Sequence, residues 1–163
     1  MRVYLALGSN LGDRQNFLQA GVRGLETRNI EIVRPASLYS TEPREIEDQP
    51  WFLNTAIEAD TTLEPMALLD ACLAVERENG RVRTVSKGPR TLDIDIIFYG
   101  TESIRTDTLT VPHPGFSSRR FVLVPLAEIA SEFIDPRSGK SVRQLLESCT
   151  DLAAVQFYGR FFE

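Results

Sequence analysis

The run Thr91-Leu92-Asp93-Ile94-Asp95-Ile96-Ile97-Phe98-Tyr99 constrains this chain more than any other segment. Residues two apart on a strand share a face, so Leu92, Ile94, Ile96 and Phe98 are predicted to point one way and Asp93 and Asp95 the other. Two neighbouring carboxylates repel and are costly near a core unless a cation or a proton intervenes. A bare Asp-x-Asp is more often a solvated strand face. Here Ile97 and Tyr99 continue the aspartate face as apolar residues, so that face is not simply wet. A divalent ion is the better reading, and oxygen ligands with water completing the shell suit magnesium.

The rest of the chain supplies partners for that strand. Val3, Leu5 and Leu7 alternate in a first strand, followed by a turn-rich Gly8–Asp13 segment. Phe17, Leu18, Val22 and Leu25 then recur at helical spacing, with Asp13 as the expected N-cap. Residues 30–41 read as a second strand, bent or broken near Pro35, and 51–62 as a third, antiparallel to it. Pro65 opens a helix over Met66 to Asn79 that Gly80 closes, with Leu68, Leu69, Cys72 and Val75 as its stripe. After Gly100 come a short excursion through Ile104 and Leu109, a helix over 121–130 interrupted near Pro125, and a short helix over 141–148. The apolar tail over 157–162 is expected only to pack. The order βαββαβ predicts an α+β, ferredoxin-like sandwich with an additional C-terminal hairpin and helices, as one domain over residues 1–163.

Charge excludes some functions. With 18 basic against 23 acidic residues the net charge is −5, which argues against a general binder of nucleic acid or anionic membranes. No run approaches the roughly 18 apolar residues that span a bilayer, and Met1 to Gly8 lacks the apolar length of a signal peptide. The two cysteines are too few for a metal site or a disulfide scaffold and read as buried, reduced thiols. The expected setting is the cytoplasm.

A local basic cluster nevertheless stands immediately before the aspartates. Arg81, Arg83, Lys87 and Arg90 fall in ten residues with no acid among them. Alone, such a cluster is usually a solvated loop. Beside Asp-x-Asp it changes meaning, because a polyphosphate needs cations between its oxygens and guanidinium groups that bind those oxygens in forked geometry. The pair of features reads as a nucleoside triphosphate site. Glu76, at the edge of its helix stripe, either pairs with Arg83 or a neighbour, or orders a ligand beside the arginines. His113, the single histidine, is held between Pro112 and Pro114 with Arg119 and Arg120 following, which favours phosphate contact. Gly8-Ser9-Asn10-Leu11-Gly12 lacks G-x-G-x-x-G spacing. In Gly139-Lys140-Ser141 the required earlier glycine falls on Ile134, so neither is a phosphate loop.

Together these segments resemble the 6-hydroxymethyl-7,8-dihydropterin pyrophosphokinases of folate biosynthesis. The resemblance rests on Leu7–Gly12, Tyr39-Ser40-Thr41-Glu42-Pro43, Gln49-Pro50-Trp51-Phe52-Leu53-Asn54, Glu76 and Gly80-Arg81-Val82-Arg83. Gly88-Pro89-Arg90-Thr91-Leu92-Asp93-Ile94-Asp95-Ile96 is its most specific part, and Val111-Pro112-His113-Pro114 and Arg119-Arg120-Phe121 close it. It implies a ferredoxin-like fold and transfer of the β,γ-diphosphoryl unit of ATP to the pterin hydroxymethyl oxygen, with AMP released. It implies two magnesium ions on Asp93 and Asp95, the arrangement that clamps both oxygens of an in-line displacement. Arg81 and Arg83 would lie on a closing loop, with Arg83 neutralising the transferred group and His113 acting with them. ATP would meet Glu76, Arg83, Arg90, Ile96, Thr110, His113 and Arg119.

For the pterin, the resemblance implies Thr41 and Asn54 on the ring edge and Phe52 and Phe121 on its faces. It implies no partner beyond these two small substrates and action as a monomer. Lys87 stands where many members carry a tryptophan, and the segment between Arg83 and Gly88 is one residue shorter than usual. Glu42 and Arg44 stand where proline and an apolar residue are common. Two other classes compete. A non-catalytic ferredoxin-like binding module would need no metal, and an ordinary kinase would release ADP rather than AMP.

Overall fold

The computed structural model describes residues 1–43, 48–80 and 91–162. Strand β1 (Arg2–Ser9) leads into α1 (Arg14–Glu26), where the Asp13 carboxylate accepts the Asn16 N–H at 3.2 Å and caps the helix as expected. The strand predicted over 30–41 forms as two pieces, β2 (Ile30–Pro35) and β3 (Leu38–Thr41), because Pro35 has no N–H to continue a ladder. Both pair antiparallel with the long β4 (Phe52–Thr61). Helix α2 (Pro65–Glu78) then returns the chain to β5 (Asp93–Tyr99), the end strand of the sheet beside β1. The sheet order is β5-β1-β4-β3, with β2 beside β3 along β4, so the broken strand counts once and the core is the expected βαββαβ sandwich.

The remaining elements extend both faces: the next hairpin joins the side of the first two helices, and the helices after it build a third layer. A small hairpin, β6 (Ile104–Arg105) with β7 (Thr110–Val111), leads through a turn of 3-10 helix (Phe116–Ser118) to α3 (Arg120–Ala130) and α4 (Val142–Glu147). One face of the sheet packs Val3, Leu5, Leu7, Ile94 and Ile96 against Leu18, Val22 and Leu25 of α1 and Leu68, Cys72 and Val75 of α2. The opposite face packs Tyr4, Ala56, Ile97 and Phe98 against Phe116, Val122, Leu123 and Leu126. Truncating one of these buried leucines to alanine would cost about 2–5 kcal/mol.

Four expectations change. Strand β1 runs on through Gly8 and Ser9, where the turn-rich composition predicts a loop. On β5 the alternation fails after Ile96: Tyr4 pairs with Phe98 but Leu5 pairs with Ile96, leaving Ile97 as the extra residue of a β-bulge. Phe98 therefore turns to the second cluster, edge-on to Tyr4 and Phe116, and Tyr99 joins the first. Helix α3 runs unbroken through Pro125, which is buried and lacks only the donor that would have met the Phe121 carbonyl. The tail does more than pack: β8 (Val155–Gly159) adds an outer strand to β3. Of the two cysteines Cys72 is buried and Cys149 half-buried, and neither forms a disulfide. Among the described residues no helix is long and apolar enough to cross a membrane.

Candidate functional site

The third layer covers only part of its sheet face. Where β1, β3, β4 and β5 meet beyond α3, the register sets Asp93, Gly8, Asn54 and Tyr39 side by side on four consecutive strands. Residues opposite one another across a ladder share a face. One row therefore carries the aspartate and the asparagine on either side of a glycine, two strand spacings or about 10 Å apart. Asp95 stands in a second row, opposite Ala6.

The glycine is what lets that row close. A Cβ on Gly8 would lie 2.4 Å from Asn54 Oδ1 and 3.7 Å from the Phe52 ring, so only a bare backbone leaves room for the carboxamide. Asn54 is 6% exposed, and its Nδ2 donates to the Thr41 hydroxyl at 2.6 Å. Thr41 itself is 1% exposed and pairs in register with Phe52. The structure thus brings together Thr41, Phe52 and Asn54, three of the residues that the resemblance gives to the pterin. Phe121 stands in the first turn of α3, partly packed against the second cluster.

The aspartate end is built differently. Asp93 and Asp95 are both half-buried and share the face opposite Ile94. Glu76 is the surprise here: it is 3% exposed, and its carboxylate accepts the Ile94 N–H at 2.7 Å. It braces the stretch of β5 between the two aspartates from inside rather than standing at the surface. The field of this corner reaches the Cys72 thiol, which burial first, then Glu76 and Asp95, push up to about 12. Among the described residues no three metal-ligating side chains gather at one point. Two carboxylates that leave most coordination positions to water and phosphate oxygens are the donor set magnesium accepts, so Asp93 and Asp95 fit it.

His113 and Arg119 lie beside the acidic corner. The His113 N–H donates to the carbonyl of Ile97, the bulge residue, at 3.1 Å, which fastens the His113 turn to the outer edge of β5. Its Nδ1 accepts the Gly115 N–H at 3.1 Å, leaving Nε2 to carry the proton as a neutral donor. Burial first, then the Arg119 charge, push its pKa down to about 4, with Asp93 pulling the other way. The Arg119 guanidinium packs flat on Gly115, where a Cβ would come within 3.1 Å of it. Thr110 is in β7, next to the same turn. Ile96, expected to touch the nucleoside, is 5% exposed with its side chain in the first cluster, so only the backbone edge of β5 is on offer there. Arg81, Arg83 and Arg90 lie outside the described residues, as do Arg44 and Lys87.

Two features of the site are not anticipated by the sequence pattern. Gly8 sits in a turn-like run, yet a glycine that continues a strand is a signal of close approach. Asn10, from the same motif, donates to Gln49 Oε1 at 2.8 Å and to the Pro50 carbonyl at 3.1 Å, so two motifs far apart in sequence are one structural unit.

Comparison with known proteins gives the family and the fold. Residues 4–131 match the family model described as 7,8-dihydro-6-hydroxymethylpterin-pyrophosphokinase (HPPK). The chain is 45% identical over 130 residues to 2-amino-4-hydroxy-6-hydroxymethyldihydropteridine pyrophosphokinase of Bacillus subtilis, covering 79% of this chain and 78% of that protein. It is 38% identical over 149 residues, 91% of this chain, to folic acid synthesis protein fol1 of Pneumocystis carinii, of which it spans only 20%. In fold it is similar to the crystal structure of Plasmodium falciparum HPPK-DHPS wild type with pteroate. That match has a TM-score of 0.72 at 15% identity and covers 90% of this chain and 42% of that one.

Proposed function

The chain belongs to the 7,8-dihydro-6-hydroxymethylpterin-pyrophosphokinase family, and from that premise we propose that it moves the diphosphoryl unit of ATP onto 6-hydroxymethyl-7,8-dihydropterin in folate synthesis. The pterin hydroxymethyl oxygen attacks the β-phosphorus, the bond from that phosphorus to the α,β-bridging oxygen breaks, and AMP leaves with the bridging oxygen. The hydroxyl proton passes to solvent. The observation that supports the reading is the single row Asp93–Gly8–Asn54, which has on one face the carboxylate assigned to the phosphates and the carboxamide assigned to the ring.

At the ring end, Asn54 offers an amide donor and acceptor to the amide-like edge of the pterin, with Thr41 bonded to it and Phe52 and Phe121 at hand for the ring faces. At the phosphate end, His113 donates from Nε2 without adding charge, while Arg119 supplies a fixed guanidinium. Asp93 and Asp95 would hold two magnesium ions, which would supply charge neutralisation to a bound triphosphate. Glu76 serves ATP by fixing the strand that carries those aspartates. Thr110 and the β5 backbone at Ile96 flank the nucleoside. Arg81, Arg83 and Arg90 complete the phosphate contacts on the strength of their place in the sequence, with Arg83 acting on the transferred group in a closing movement. A cytoplasmic setting and action as a monomer belong to the same proposal.

Incubation with ATP, magnesium and reduced hydroxymethylpterin tests it. The expected result is AMP formed one for one with pterin diphosphate and abolished by chelator. ADP as product, or nucleotide binding without turnover, would overturn the reading.

A further inference from the structure

We propose that the segment from Asp151 to Val155 is a strap that positions the pterin end of the site, with Asp151 fixing the first turn of α3 and Ala154 fixing the end of β3. The inference rests on the reading that Thr41, Asn54 and Phe121 receive the pterin.

The first turn of a helix leaves amides without intrahelical acceptors, and a neighbouring side chain must meet them. Helix α3 begins after Arg119, whose side chain makes no capping bond. The amide of Arg120, next to Phe121, instead donates to Asp151 Oδ2 at 3.0 Å. The other oxygen of the same carboxylate accepts the Ala153 N–H, also at 3.0 Å. Asp151 is thus a capping residue supplied from far downstream, and its negative charge suits the positive end of the helix dipole.

One residue further on, the strap takes hold of β3. Ala154 N–H donates to Glu42 Oε1 at 2.7 Å, and the Ala154 carbonyl accepts the Glu42 N–H at 3.1 Å. The ladder continues directly with Val155 opposite Thr41. Thr41 carries the hydroxyl that accepts from Asn54. An unbroken path therefore runs from the amide beside Phe121, through Asp151 and Ala154, to Glu42, Thr41 and Asn54. It joins the helix that presents one ring contact to the strands that present the others.

Two other attachments confine the effect. Further along α3, Glu128 independently bonds Tyr39 Oη at 2.6 Å and the Ser37 N–H at 3.0 Å, so losing Asp151 loosens the first turn and not the helix. The Arg119 guanidinium rests on Gly115 as well, so the phosphate end keeps an anchor of its own when the first turn loosens. The strap thus governs the pterin more than ATP.

Steady-state kinetics with both substrates varied tests this. Asp151→Ala is expected to raise the KM for 6-hydroxymethyl-7,8-dihydropterin about 5- to 20-fold while the KM for ATP stays within about twofold. Asp151→Asn, which keeps an acceptor and a good capping type, should return the pterin KM to within about threefold of wild type. Glu42→Ala, acting on the other end of the strap, should raise it by about 2- to 5-fold. An unchanged pterin KM in both alanine variants overturns the proposal. So does a uniform loss in which kcat falls and both KM values rise together as the melting temperature drops, with Asp151→Asn restoring nothing. A wild-type protein that makes no AMP from these substrates overturns the functional reading itself, and is recognised before any variant is made.

Discussion

The two ends of the open sheet face are built on opposite principles. At the Asn54 end the polar groups are nearly buried and already bonded to one another, packed closely over a glycine. At the Asp93–Asp95 end two half-buried carboxylates stand on one face, braced from inside by a third. The first end is suited to reading the shape and hydrogen-bonding edge of a flat neutral ring. The second concentrates negative charge that a metal-bearing, highly charged ligand complements. On the proposed reading, selectivity for the acceptor would be held in packed side chains, and the charge of the reacting group would be handled by what the ligand brings with it.

Perturbing each end separately sharpens that contrast. Asp95→Ala should lower turnover by about a thousandfold or more, if it removes a ligand of the ions proposed to neutralise the reacting phosphates. Turnover near the wild-type value would sink the metal assignment. Gly8→Ala places a methyl on the Asn54 carboxamide, and the expected result is a fall of about 10- to 100-fold in kcat/KM for the pterin. The KM for ATP should change little, and an equal loss for both substrates would break the division between the ends. Glu76→Ala should destabilise the fold by about 1–3 kcal/mol in urea unfolding by leaving the buried Ile94 amide without its acceptor, and Glu76→Gln by clearly less. Equal losses would show that Glu76 does not act by bracing β5.

The smallest expected effect is on pH dependence. His113 has a folded pKa near 4 against an ordinary value of 6.5, so the unfolded chain binds more protons than the folded one between those values. Its contribution to stability is full above about pH 6.5 and is lost as pH falls towards 4. The wild type should therefore lose melting temperature over this range more steeply than His113→Gln, and parallel curves would contradict the assignment of His113 as a buried neutral donor.

Much of this contrast is legible in the amino-acid sequence. Period-2 alternation puts Asp93 and Asp95 on one face, Pro35 breaks the second strand, and Asp13 caps α1, because each is a local effect of backbone geometry. What is not legible depends on partners. The bulge at Ile97 reflects pairing with Tyr4 and Leu5 and inverts the faces of Phe98 and Tyr99. The clearance at Gly8 depends on a side chain contributed by β4, and the burial of Glu76 on an amide of β5. The strand at 155–159 alternates too weakly to announce itself, and its exposed Phe157 stands edge-on to Tyr39 only once β8 has found β3.

The central claim is that a hydroxyl held at the Asn54 end attacks the β-phosphorus of ATP held at the Asp93–Asp95 end. The measurement that tests it most directly uses ATP carrying heavy oxygen at the α,β-bridging position, with the label followed by mass spectrometry of the products. The account predicts that all of the label leaves in AMP and none enters the pterin diphosphate. Label in free pyrophosphate, or in ADP, would place the attack on another phosphorus and contradict it.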